Sequence, residues 1–231
     1  LALPLTLSLS LLAPAADWPE FRGPNGTGHY AGPPLPTTWG PDTNVAWKTP
    51  VPGKGWSSPV VVKGRVYLTT AVPQGGGDRP DQSLRAVCLD AASGKVLWDR
   101  EVFVEDGKAS PPPHKKNSHA SPTPVSDGER VYVHFGPQGT ACLDPTGKVV
   151  WANRELTYHP QHGSGGSPIL AGDLVVFTGD GADTQRWTRR PARCGGRPRG
   201  TPGRGWGSRS PPRSWSSTPA GGWSSPRAAT T

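Results

Sequence analysis

Methionine is missing from the 231 residues, cysteine occurs three times, and no apolar run approaches the roughly 20 residues that a helix needs to cross a bilayer. The cysteines, Cys88, Cys142 and Cys194, have no paired zinc spacing and no spacing that calls for a disulfide framework. No phosphate-binding glycine loop, Ser-His-Asp order or carboxylate dyad stands out, so no catalytic residue and no metal ligand is assigned. A convincing helical period is absent as well, which argues against a bundle or an α/β protein.

Acidic residues are missing from one region altogether. Residues 186–231 have no Asp, Glu or Lys and no Val, Ile or Leu, yet hold ten Arg and four Trp (Trp187, Trp206, Trp215, Trp223). Taking those ten from the 25 Lys and Arg leaves 15 cations against 17 anions, a net of −2 for the body against +8 for the whole. The overall basic charge is therefore no argument for a nucleic-acid or membrane partner. Such a tail neither packs as a core nor has the aromatic-poor composition of ordinary disorder.

At the amino end, Leu1 to Leu12 is rich in Leu and runs into Ala13-Pro14-Ala15-Ala16 before Asp17. That stretch reads as the hydrophobic region and cleavage site of a secretory signal over residues 1–16, with a buried strand as the alternative. No basic segment and no Met precede it, so the signal reads as incomplete, its true start upstream. The expectation is an exported protein, periplasmic or extracellular, with no membrane span in the mature chain.

Between Asp17 and Gln185 the pattern is strand and turn. Val60 to Val62, Arg65 to Thr70, Arg85 to Leu89, Lys95 to Trp98, Arg130 to Phe135, Lys148 to Trp151 and Leu174 to Thr178 are short, β-branched or aromatic, and bounded by turn formers. Gly64, Gly128 and Gly172 stand where tight hairpins need positive φ. The fold class is all-β.

One string occurs twice. Ala86-Val87-Cys88-Leu89-Asp90-Ala91-Ala92-Ser93-Gly94-Lys95-Val96-Leu97-Trp98 is echoed by Thr140-Ala141-Cys142-Leu143-Asp144-Pro145-Thr146-Gly147-Lys148-Val149-Val150-Trp151. A second element recurs upstream as Ser57-Ser58-Pro59-Val60, Ser121-Pro122-Thr123-Pro124-Val125 and Ser167-Pro168-Ile169-Leu170, so three repeats have begun. Asp90 and Asp144 can bond turn amides, and Gly94 and Gly147 take the left-handed position. Trp98 and Trp151 then end the next strand with a large apolar face and one N–H donor, suited to bridging repeats; a stacking surface for a flat ligand is the alternative. Cys88 and Cys142 fall on equivalent strands, as buried thiols out of disulfide reach of each other.

The string resembles the tryptophan-docking repeat of pyrroloquinoline-quinone (PQQ)-type propellers, found in quinoprotein dehydrogenases and in non-enzymatic lipoproteins of outer-membrane assembly. Trp18-Pro19-Glu20-Phe21-Arg22-Gly23-Pro24-Asn25-Gly26-Thr27-Gly28, with Asn44 to Pro50 and Gly55-Trp56-Ser57-Ser58-Pro59, is similar to exported bacterial propellers of unassigned activity. The resemblance covers 17–185 and implies a partial β-propeller of four-stranded antiparallel blades, about two and a half of them. It also implies that PQQ and calcium, where a full-length homologue uses them, sit on the axis of a complete ring. No cofactor is expected for this fragment, which lacks the Cys-Cys pair of quinoprotein alcohol dehydrogenases.

The genetic code offers a reading of the tail. Trp187-Thr188 derives from TGG-ACN, and one base earlier the frame gives NTG-GAC, an apolar residue followed by an obligatory Asp. Continued through Gly196, that frame permits Ala-Ala-Thr-Gly-Lys-Val-Arg-Trp, the missing third copy of the string. Residues 186–231 thus read as a frameshifted, disordered tail, against an Arg- and Trp-bearing nucleic-acid-binding segment as the rival.

Among the histidines, His119 and His162 flank the starts of successive blades and are the candidates to face a central channel, with loop hydrogen bonding as the plainer role. Three functions follow. The first is a non-catalytic scaffold or binding module of the cell envelope, with a protein or small-ligand partner and no nucleic acid. The second is an amino-terminal fragment of a PQQ-dependent quinoprotein oxidoreductase. The third is a nucleic-acid binder through the tail.

Overall fold

Eleven strands run through the described residues of the computed structural model, which are 16–155, 158–179 and, by backbone alone, 184–189. All lie in the first of two units, Leu1–Gly196. Strands β1 (Val60–Val62), β2 (Arg65–Gln74), β3 (Asp81–Asp90) and β4 (Val96–Glu105) form one four-stranded sheet in sequence order, antiparallel throughout. Strands β5 (Val125–Ser126), β6 (Val131–His134), β7 (Thr140–Leu143) and β8 (Val149–Asn153) form a second of the same topology. Strands β9 (Ile169–Ala171), β10 (Leu174–Gly179) and β11 (Thr184–Arg189) form a third, antiparallel sheet of three. No α-helix occurs among these residues, and no helix there is long and apolar enough to cross a membrane. The all-β, blade-by-blade expectation holds.

The repeat is reproduced in register. Val60, Tyr67, Cys88 and Trp98 make one cross-strand row in the first sheet, and Val125, Tyr132, Cys142 and Trp151 make its counterpart in the second. The Tyr67 and Trp98 rings lie 5.9 Å apart at 46°, and those of Tyr132 and Trp151 6.2 Å apart at 47°. A two-residue turn at Lys63 (φ 49°) and Gly64 (φ 72°) joins β1 to β2, as the mirror-image hairpin turn requires.

The second sheet is buried on both faces, which explains why Val131, Tyr132, Val133 and His134 are all inside. Val131, Val133, Ala141 and Leu143 pack toward the first sheet with Val60, Leu84 and Phe103, whereas Tyr132 and Cys142 pack toward the third with Val175 and Phe177. The first sheet's other face, Val66, Val87 and Leu89, is covered by Trp47 and Val51 from the segment before β1.

Two boundaries differ from the sequence reading. Strands β2, β3 and β4 run to ten residues each, because the cross-strand row Ala71, Leu84 and Phe103 adds buried contacts past Thr70 and past the charges of Asp99, Arg100 and Glu101. Arg85 answers one of those charges at 2.7 Å from Asp99. The boundary expected after Gln185 falls inside β11, whose backbone pairs with β10 as far as Arg189. The expected signal, apart from Ala16, and the tail beyond Arg189, with Cys194, lie outside the described residues.

Candidate functional site

The residues that recur most clearly join one sheet to the next. In the β3–β4 turn the Asp90 carboxylate accepts from the Ser93 amide (2.8 Å) and hydroxyl (2.6 Å); in the β7–β8 turn Asp144 does the same for Thr146 at 2.8 and 2.6 Å. These bonds, the hydroxyl first, hold both carboxyl groups below the usual range. Trp98 reaches from the first sheet to the second sheet's turn and donates its indole N–H to the Pro145 carbonyl at 2.9 Å. The indole lies flat on Gly147 (φ 84°): a Cβ there would stand 2.7 Å from Trp98 Cδ2, so both the turn and the docking require glycine. Arg65 and Arg100 add bonds to Pro145 and Gly147 of the same turn.

Trp47 repeats this geometry one step earlier. Its indole donates to the Ala91 carbonyl at 3.0 Å and covers Gly94, while Thr49 bonds the Gly94 carbonyl at 2.6 Å. The sequence reading did not give Trp47 this role, although Trp47, Trp98 and Trp151 are spaced 51 and 53 residues apart, which is the signal that marks it. For Trp151, no described carbonyl accepts its N–H.

A second latch runs through the hydroxyl residue that precedes proline in each repeat. The Ser58 amide donates to Thr123 Oγ1 at 3.0 Å, and the Thr123 amide donates to Ser167 Oγ at 3.0 Å. One residue type at one register position thus satisfies the equivalent amide of the preceding sheet.

Three buried side chains belong to the packing rather than to chemistry. Cys88 and Cys142 are buried thiols in separate sheets; burial pushes the Cys88 thiol up to about 11, far from a nucleophilic thiolate. His134, which the sequence did not single out, is fully buried between the second and third sheets. It bonds Thr140 Oγ1 at 2.8 Å and Tyr158 OH at 2.9 Å and stacks on Phe177 with centroids 3.9 Å apart. Burial lowers its pKa to about 3, so it is a neutral structural hydrogen-bonding ring.

A further candidate site is a cavity of about 410 Å³ where the connection from β4 to β5 meets the β6–β7 turn and the segment leading to β9. Its walls include Pro111, Pro112, Pro113, Phe135 and Pro137. Glu105, at the end of β4, and His119 meet there, His119 Nδ1 standing 2.7 Å from Glu105 Oε2. His162 is not part of the lining: its ring packs edge-on against His114 at 5.3 Å, and its carbonyl accepts from Asn117 Nδ2 at 3.0 Å. His159 lines the cavity instead.

A tricarboxylate quinone with its calcium ion calls for cationic side chains and several oxygen donors. The cavity lining has one carboxylate and neither Lys nor Arg, and the described residues include no group of three or more His, Cys, Asp or Glu placed for a metal. The donor set does not fit that cofactor.

Comparison with known proteins agrees with the repeat geometry. The family described as outer membrane protein assembly factor BamB, built on PQQ-type repeats, matches residues 37–152 and 79–184. The crystal structure of BamB from Moraxella catarrhalis aligns at 12% identity and a TM-score of 0.28, over 53% of this chain and 40% of that one, so the chain spans less than half of that protein's length. No curated protein matches.

Proposed function

The chain belongs to this PQQ-repeat, BamB-type β-propeller family, and from that premise we propose that it is a non-catalytic binding scaffold of the cell envelope whose partner is another protein. One observation carries the reading. The distinctive repeat residues, Asp90, Gly94, Trp98, Asp144, Gly147 and the hydroxyls of Thr123 and Ser167, are consumed in joining sheet to sheet, which leaves the loops of one face to do the recognising. A scaffold needs that division; the lining of the 410 Å³ cavity, with one carboxylate and neither Lys nor Arg, offers no match to a tricarboxylate quinone. The apolar segment at 1–16 supports export, and the net charge of −2 for residues 1–185 supports a protein partner over a nucleic acid.

The test is photocrosslinking in living cells of the encoding organism, with a benzophenone side chain replacing the exposed Gln161 at the cavity rim or, as control, the exposed Ala92 in the β3–β4 turn. The scaffold reading expects a discrete adduct with an identifiable envelope protein from position 161 and none from position 92. Dye reduction dependent on added PQQ and calcium, without an adduct, overturns it in favour of the oxidoreductase.

A further inference from the structure

We propose that the 410 Å³ cavity receives a primary ammonium or guanidinium carried on an apolar stem, with Glu105 as its anionic end. The inference rests on the binding-scaffold reading and names the chemistry its recognition face selects. Glu105 is only 6% exposed, yet it lines the cavity. His119 Nδ1 occupies Oε2 at 2.7 Å, and no described donor reaches Oε1. A carboxylate oxygen withdrawn from water and left without a donor is costly unless something arrives to bond it.

Much of the wall beside Glu105 is poor in donors. Proline has no backbone N–H, and five of the residues facing the space, Pro111, Pro112, Pro113, Pro137 and Pro160, are prolines, with Phe135 beside them. Gln138 spends its amide on Ser110 Oγ at 3.1 Å. Arg154, the nearby cation, is drawn off over the Phe103 ring at 5.5 Å and is not in the lining. A ligand that brings its own N–H donor completes Oε1. The proline and phenylalanine surface suits a stem of several methylenes, as lysine and arginine side chains present to apolar walls, and the volume lies in the range of small-ligand sites. Glu105, His119 and His159 line the cavity, yet no three His, Cys, Asp or Glu among the described residues are grouped to hold a metal ion.

The chemistry has two sources, a free amine and a Lys or Arg side chain of a protein, and the test separates them. The 231-residue chain is titrated calorimetrically with cadaverine, agmatine and the capped amides of lysine and arginine, with pentanol and pentanoate as uncharged and anionic controls. Saturable binding of the cationic probes alone is expected, falling at least about tenfold in Glu105→Gln. Gln161→Trp, which fills the rim without touching Glu105, should abolish it in a chain whose circular dichroism is unchanged. Tighter binding of the diamines assigns a free amine, and tighter binding of the capped amides assigns a partner's side chain. No binding of any cation up to about 10 mM, or equal affinity in wild type and both variants, overturns the inference. Crosslinking from position 161 without amine binding would overturn it and leave the scaffold reading standing.

Discussion

The junction between the first and second sheets and the junction between the second and third share an inner latch and differ at the outer one. On the inside, Ser58 to Thr123 and Thr123 to Ser167 are the same amide-to-hydroxyl bond at the same 3.0 Å. On the outside, Trp98 has Pro145 and Gly147 to dock on, whereas Trp151, identical in register and in its contact with tyrosine, meets no such turn among the described residues. A docking tryptophan is thus half of a device. Its sequence signature announces the donor, and only the following sheet's Asp-to-Gly turn makes it a latch.

The largest effect that separates the junctions is on tryptophan itself. Trp98→Ala removes a packed indole and its hydrogen bond and should cost about 3 kcal/mol in urea unfolding, against about half of that for Trp151→Ala. Equal losses would break the comparison. Next comes acid sensitivity at the second junction. His134 is neutral when folded, with its pKa depressed to about 3 from 6.5, so its contribution is intact above pH 6.5 and is lost as the pH falls toward 3. About 2 kcal/mol should be gone at pH 5, and His134→Gln, which does not titrate, should flatten that slope.

Smaller and deliberately matched are the inner latches. Thr123→Val and Ser167→Ala each leave one amide of the preceding sheet without its acceptor, and each should cost about 1–2 kcal/mol by the same urea assay. A difference above about 1 kcal/mol would show that the two inner bonds are not equivalent. The smallest effect sharpens the outer comparison. Replacing residues 187–196 by Leu-Asp-Ala-Ala-Thr-Gly-Lys-Val-Arg-Trp, the string that the alternative frame permits, should give Trp151 a turn to dock on. A gain of about 1 kcal/mol and a blue-shifted tryptophan emission are expected. Position 188 follows Leu174 by the same 14 residues that separate Arg130 from Asp144.

Much of the fold was legible because it is repetitive. Two copies of one string located β3, β4, β7 and β8 with their turns, and the Ser-Pro and Thr-Pro elements announced β1, β5 and β9. Legibility failed where the controlling partner is distant in sequence. Trp47 belongs to no visible copy of the string, since the turn it covers lies 44 and more residues downstream. The extension of β4 to Glu105 depends on Phe103 packing against Phe135, which no local pattern encodes. For the same reason the Glu105 to His119 pair could not be read, although His119 itself was singled out; His162, chosen by the same reasoning, is turned to His114 instead. His134 reads as one more alternating strand residue until the third sheet supplies Tyr158 and Phe177 as neighbours.

The most direct measurement is a double-mutant cycle between Trp98→Ala and Gly147→Ala, read by urea unfolding. If tryptophan docks on the next sheet's turn, the methyl added at position 147 collides with the indole in the wild type and is relieved when Trp98 is absent. The two losses should then fall short of additivity by about 1 kcal/mol or more. Additivity within about 0.3 kcal/mol would contradict the account, leaving Trp98 as ordinary sheet packing and the repeat without its outer latch.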